Sequence, residues 1–330
     1  MRSTLLASCL CALAICHVAA QNPGPRFTPS AACLELHQKI VDKVTNGQLA
    51  DAEAALAEAL TSKDDREPPC LWLTLYNMAN AIALSGRFAE AEVLAERSLS
   101  IMDRFYSHDD PARFRPLHML WAVQLQQGKR GKARQTFRTM QSIRLDGPQD
   151  QARLYSASAA QRQAEGQPRE AEMEYSKALA AWSELGRAET ADVAALWVEL
   201  GTLQLSQGQY LEAGKALDRA LTIVQSAKDA VPLDLINVLV SRSTLYARQG
   251  KWQSASEDLG AAISLADRDA RLDFAQRKLM LTNLAYILRR AHRAKEARSF
   301  EARTKAIHGP ESTNIVDVSE LAGQGMHRRK

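Results

Sequence analysis

Leu196-Trp197-Val198-Glu199-Leu200-Gly201-Thr202-Leu203-Gln204-Leu205 is followed by Ser206-Gln207-Gly208-Gln209, and then by Tyr210-Leu211-Glu212-Ala213-Gly214-Lys215-Ala216-Leu217-Asp218-Arg219-Ala220-Leu221-Thr222-Ile223-Val224. Apolar residues recur at helical spacing on both sides of the glycine. Gly208 interrupts them, because glycine readily leaves helical φ/ψ. The stretch therefore predicts two helices joined by a tight turn. Gly201 and Ala213 are small where the two helices must cross, and Ala220 is small toward the next unit. Tyr210 is expected to fill the space beside the turn.

The same phrase, a glycine with an alanine five residues later, recurs along the chain. The pairs are Gly47/Ala52, Gly86/Ala91, Gly128/Ala133, Gly166/Ala171, Gly208/Ala213 and Gly250/Ala255, and a seventh copy has His292 with Ala297. The turn positions lie 39, 42, 38, 42, 42 and 42 residues apart. A fixed period of this size denotes stacked supersecondary units rather than one globular core. The small crossing position recurs as Ala79, Ala159, Ser243 and Ala285, and the later alanine as Ala59, Ala178 and Ala262. Units one and three depart from the pattern, with Ile40 and Trp121 at the crossing. Unit three also has Arg130, and unit four Pro168, where an aromatic is usual, so irregular packing is expected there.

Trp197-x2-Leu200-Gly201, Gly208-x-Tyr210-x2-Ala213 and Ala220-Leu221 together resemble the tetratricopeptide repeat signature. Gly86-Arg87-Phe88 and Gly250-Lys251-Trp252 carry the same turn. The resemblance spans about residues 33–307 in about seven units. The usual unit is about 34 residues, and the longer spacing here is similar to kinesin-light-chain-type repeats. The resemblance implies an all-α fold, a right-handed α-solenoid of helix–turn–helix repeats. It also implies that the first helix of each unit lines a concave groove for a protein or peptide. On this chain the groove positions fall on Tyr76, Asn77 and Asn80, then Arg115 and His118, then Arg153 and Gln163. Further along they fall on Thr202, on Asn237 and Thr244, and on Thr282, Tyr286 and Arg289. Asparagine amides both donate to and accept from an extended backbone. Arginines grip carboxylates through paired bonds, and aromatics offer rigid apolar contact. The family's best-known carboxylate clamp uses lysines that this chain lacks, so that specificity is not carried over.

Arg2 precedes a run from Leu5 to Ala20 without Asp, Glu, Lys or Arg, ending Val18-Ala19-Ala20. Residues 1–20 read as a secretory signal, with Gln21 as the first mature residue. An uncleaved membrane anchor is the less favoured alternative, because the run is shorter than the roughly 20 residues that span a bilayer; after cleavage no stable membrane insertion is expected. Residues 21–32 read as a linker. Residues 308–330 form a tail in which Ile315, Val316, Val318 and Leu321 offer a cap for the last unit. Cys33 and Cys70 remain once the signal is removed. An exported chain allows them to form a disulfide, and two buried thiols fit the sequence equally well.

Forty-two Lys and Arg against 38 Asp and Glu give a formal charge of +4, too diffuse to call for nucleic acid. There is no Gly-x-Ser-x-Gly, no His-Glu-x-x-His and no phosphate-binding glycine loop, so no catalytic site, metal or cofactor is expected. Glu53, Glu58, Glu90, Glu92 and Glu96 read as a solvated face of second helices. The expectation is an exported, periplasmic or secreted, non-enzymatic scaffold or adaptor for a protein or peptide. A self-assembling structural or assembly factor of the cell envelope is the alternative class, and an enzyme with an unrecognised site a third.

Overall fold

The computed structural model describes residues 31–46, 48–61, 71–145, 147–268 and 274–306. The signal, most of the linker, Gly47, Cys70 and the tail lie outside the described residues. Within them the chain is helical throughout, with no strand. It divides into two compact units that meet in sequence at Gly166 and Gln167.

The N-terminal unit contains α1 (Ala31–Thr45), α2 (Leu49–Thr61), α3 (Leu71–Leu84), α4 (Phe88–Met102), α5 (Phe114–Gln126), α6 (Arg130–Gln141) and α7 (Pro148–Ala164). A short 3-10 turn, Pro111–Arg113, leads into α5. The C-terminal unit contains α8 (Pro168–Glu184), α9 (Ala191–Ser206), α10 (Tyr210–Ser226), α11 (Pro232–Arg248), α12 (Trp252–Ala266), α13 (Phe274–Arg290) and α14 (Ala294–Ala306). In each unit consecutive helices pack as antiparallel hairpins, and each hairpin packs on the next, as in an α-solenoid.

The repeated phrase acquires a physical meaning. Gly86, Gly128, Gly166, Gly208 and Gly250 have φ between +72° and +80°, a region open to glycine and costly for residues with a Cβ. At Gly208 the amide donates to Leu205 O at 3.1 Å, and Gln209 donates to Gln204 O at 2.9 Å. That paired closure satisfies two carbonyls left over at the end of α9. The seventh turn keeps it with His292 at φ +62°, where Arg293 N donates to Leu288 O at 2.8 Å.

The alanine five residues on is a seat for the first helix. Ala52, Ala91, Ala133, Ala171, Ala213, Ala255 and Ala297 are all completely buried. At the crossing in repeat five, a Cβ on Gly201 would lie 2.9 Å from Leu217 Cγ and 3.3 Å from Ala213 O, so only glycine fits without a shift. Tyr210, expected beside the turn, is 38 % exposed.

First and second helices differ in burial. In α10 the buried residues are Ala213, Ala216, Leu217, Ala220, Ile223 and Val224, a single stripe at helical spacing. In α9 burial extends around most of the circumference. The cause is the stacking: α9 packs on its own partner α10, on the preceding α8 and directly on α11. Likewise α1 meets α3, α3 meets α5, and α5 meets α7. First helices thus form a continuous row from α1 to α7 in the N-terminal unit, and α9 and α11 are in direct contact in the C-terminal unit.

A second register joins successive repeats. In five repeats the residue six places after the turn position, on the second helix, reaches the turn region of the following repeat. In the N-terminal unit Glu53 pairs with Arg87, Glu92 with Lys129, and Arg134 with Glu165 at 2.9 Å. In the C-terminal unit Glu172 accepts from the Gln204 amide at 2.9 Å, and Ser256 accepts from Arg293 at 3.1 Å. Between them the position is Gly214, which has no side chain to offer.

Glu92 corrects the expectation of a solvated face. It is 4 % exposed. One carboxylate oxygen accepts from Gln127 at 2.7 Å and from Lys129, and the other faces Lys132 at 3.6 Å. Burial by itself raises the carboxyl's pKa, but the Lys129 and Gln127 bonds and the two lysine charges outweigh it and hold the pKa below its usual value.

Trp121 is the largest departure from the repeat pattern, and its neighbourhood explains how it is tolerated. The side chain is fully buried, tilted against Phe137 with ring centroids 6.0 Å apart. Its indole N–H donates to Gln161 Oε1 of α7 at 2.9 Å. Gln161 in turn donates to Glu165 at 2.8 Å, and Glu165 also accepts from Arg134. The indole that displaces a small crossing residue is thereby tied to the next repeat.

Cys33 is buried in α1 and is disulfide-bonded. Its expected partner, Cys70, is outside the described residues.

Candidate functional site

The row of first helices in the N-terminal unit brings three sequence-predicted residues together. Arg115 and His118 lie on α5 and Arg153 on α7, and these helices are in direct contact. Asp150 in the first turn of α7 sits between the two arginines. Arg153 Nη1 donates to Asp150 Oδ1 at 3.1 Å, and Arg115 Nε faces the same oxygen at 3.9 Å. The side chains of Arg115, Asp150 and Arg153 are 35 %, 24 % and 19 % exposed, so the group is partly shielded yet open to solvent. Two guanidinium groups share one carboxylate.

His118 lies within the electrostatic reach of Arg153. Its ring stacks on Phe114 at 6.0 Å and lies 5.4 Å from Trp121. Burial, followed by the positive charge of Arg153, lowers its pKa to about 4. The imidazole is therefore neutral at neutral pH, and it supplies a flat aromatic surface rather than charge.

Asp150 was missed by sequence reasoning. Its signal was available: it lies three residues before Arg153 on one helix, a spacing at which side chains meet. It reads as an ordinary first-turn acid that complements the helix dipole.

Other predicted positions are not drawn into the cluster. Tyr76 and Asn77 are half-buried on α3. Asn80 is 8 % exposed, and its amide donates to Tyr76 O at 3.1 Å, so its donor is engaged by its own helix. Gln163 is half-buried near the end of α7. In the C-terminal unit, Thr202, Thr244 and Thr282 each donate their hydroxyl to a carbonyl of their own helix. Asn237 is half-buried on α11. Tyr286 stands edge-on to Trp252 at 6.3 Å. Arg289 is held by Glu301 of α14 through two bonds of 2.7 and 2.9 Å.

Among the described residues, no group of His, Cys, Asp and Glu suits a metal ion. No described helix is long and apolar enough to cross a membrane.

Residues 73–144 and 192–268 match the family model for the tetratricopeptide repeat. No curated protein matches the chain. Several solved structures share the fold. A Rap protein complexed with competence and sporulation factor superposes with a TM-score of 0.61 at 14% identity, covering 90% of this chain and 78% of that one. BtubC (BKLC) from P. vanneervenii gives 0.55 at 20% identity, covering 71% and 98%. NprR in complex with its cognate peptide NprX gives 0.52 at 12% identity, covering 84% and 79%. At these identities the likeness speaks for the fold.

Proposed function

We propose that this chain, built from tetratricopeptide repeats, is a non-catalytic scaffold that binds a protein or peptide, with an acidic group of the partner seated at Arg115 and Arg153. The carrying observation is the shared carboxylate. Asp150 already occupies one side of the arginine pair, and its 3.9 Å separation from Arg115 leaves that guanidinium's donors open to a second carboxylate. Planar guanidinium groups bind carboxylates through two parallel bonds. The neutral His118 ring beside them offers contact area without repelling a cationic flank. The Rap structure with competence and sporulation factor and the NprR structure with its cognate peptide NprX support the use of such a fold for recognition of a peptide or protein factor.

The test is selection from a displayed random-peptide library on the full chain, followed by affinity measurement against Arg115→Ala/Arg153→Ala. Enriched peptides carrying an acidic residue or a free C-terminus are expected to bind the double variant at least tenfold more weakly. Equal affinity for both proteins would overturn the assignment of this site.

The reading includes export, supported by the charge-free apolar run before Gln21. Mass spectrometry of the mature N-terminus tests it, and a start other than Gln21 removes the simplest form of the proposal.

A further inference from the structure

A second basic feature lies in the C-terminal unit, at the turns of repeats six and seven. An open cleft of about 810 Å³ is lined by Gly250 to Ser254, at the start of α12, and by Arg289 to His292, at the end of α13. This volume falls in the ~300–1,000 Å³ range of ligand sites and greatly exceeds what one ion needs. The lining holds Lys251, Arg289, Arg290 and His292 and no acidic residue.

The state of each cation matters. Arg289 is neutralised by Glu301, and the adjacent Arg293 by Glu296. Arg290 and Lys251 have no carboxylate partner among the described residues. Arg290 lies over the Trp252 indole, 4.9 Å from its centroid, and Lys251 lies 5.9 Å from the Tyr246 ring centre. Both side chains are therefore oriented on aromatic rings while their charge remains uncompensated. The reason at Lys251 is in the inter-repeat register. The equivalent Arg87, Lys129 and Arg293 meet Glu53, Glu92 and Ser256, whereas Lys251 follows the repeat that has Gly214.

We infer that this cleft is a second peptide-binding site, which takes an acidic segment of a partner with a carboxylate side chain between Lys251 and Arg290. Charge complementarity sets the partner's chemistry. The cleft's size and its aromatic wall favour a stretch of peptide over a lone anion. The site is separate from Arg115 and Arg153 and draws on the edge of the stack where the turns lie, not on the row of first helices.

The test uses an octaglutamate peptide bearing a photo-crosslinker, with octaglutamine as the uncharged control, on the full chain. Crosslinks located by mass spectrometry are expected at residues 250–254 and 289–292. Lys251→Gln/Arg290→Gln should reduce them at least tenfold, with an unchanged circular dichroism melt because both residues are exposed. Arg115→Ala/Arg153→Ala should leave these crosslinks in place. Crosslinks elsewhere, equal labelling by octaglutamine, or equal labelling of Lys251→Gln/Arg290→Gln would overturn the inference. Removal of residues 308–330, which include Glu311, Asp317 and Glu320, forms the last arm. A tenfold rise in labelling would make the chain's own C-terminal segment the occupant and overturn the assignment to a separate partner. Unchanged labelling would support it.

Discussion

The N-terminal and C-terminal units share a hairpin but differ in how hairpins are joined. In the N-terminal unit the sixth residue after the turn is charged and meets an opposite charge on the next repeat, as in Glu53 with Arg87, Glu92 with Lys129 and Arg134 with Glu165. In the C-terminal unit the same position pairs a charged with a neutral group at Glu172 and Ser256, and holds no side chain at Gly214. The hairpin-forming residues are alike in both units, with every seat alanine fully buried. Stability within a repeat and coupling between repeats are thus set by separate positions. This is the division expected of a one-dimensional array, whose stability adds intrinsic and nearest-neighbour contributions.

The largest effect should come from the joint between repeats three and four. Trp121→Ala removes a fully buried indole and its bond to Gln161, and a loss of ~3–5 kcal/mol is expected in urea unfolding. A loss below 1 kcal/mol would mean that Trp121 is a filler and not a joint. The next effect depends on pH. The folded state holds His118 at a pKa of about 4, against ~6.5 for the unfolded chain. The unfolded state therefore takes up a proton first as pH falls. The N-terminal unit should keep its full stability above pH ~6.5 and lose on the order of 3 kcal/mol by pH ~4. His118→Phe, which preserves the stack on Phe114, should flatten that slope. A variant with the wild-type slope would assign it to other groups.

Glu92→Ala comes third. It removes a buried carboxylate held by Gln127 and Lys129, and it should cost roughly 1–3 kcal/mol. Because the folded pKa is lowered, the wild-type contribution is present above the unfolded value of ~4.3 and is lost as pH falls through the folded pKa. The variant should lose that part of the acid sensitivity. The smallest effect would bring the C-terminal unit closer to its neighbour. A Cβ at Gly214 meets Leu245 Cδ2 at an ordinary 3.7 Å. Gly214→Ala should therefore gain up to ~1 kcal/mol from helix propensity alone. Gly214→Glu should gain a further few tenths by reaching Lys251, comparable to other exposed pairs. Equal melting temperatures for Ala and Glu at this position would show that the register does not extend to this joint.

These joints also mark where reading the sequence stopped. The hairpins were legible because their determinants are local: a turn glycine, an alanine five residues on and a small residue at the crossing all lie within one repeat. The joints connect residues 31 to 37 positions apart, as with Arg134 and Glu165 or Glu92 and Lys129. Nothing in the local pattern distinguishes Glu92, which is buried, from Glu96, which is exposed. Trp121 read as a misfit because its partner, Gln161, is forty residues away. At the candidate site, the resemblance pointed to first-helix positions, and Arg115 and His118 lie on α5 and Arg153 on α7. It was silent on Asp150, and on Asn80 spending its amide on Tyr76.

Arg134 carries a further consequence. It is the one described joint residue with inverted sign, an arginine where Glu53, Glu92 and Glu172 stand in other repeats. Its acceptor, Glu165, is inverted to match. Moving the third repeat into the second slot would set Arg134 against Lys or Arg and leave Glu165 without its cation. The hairpins are interchangeable in shape, but the polarity of their couplings keys them into one serial order. A chain shuffled by unequal recombination would fold its pieces and fail at the seams.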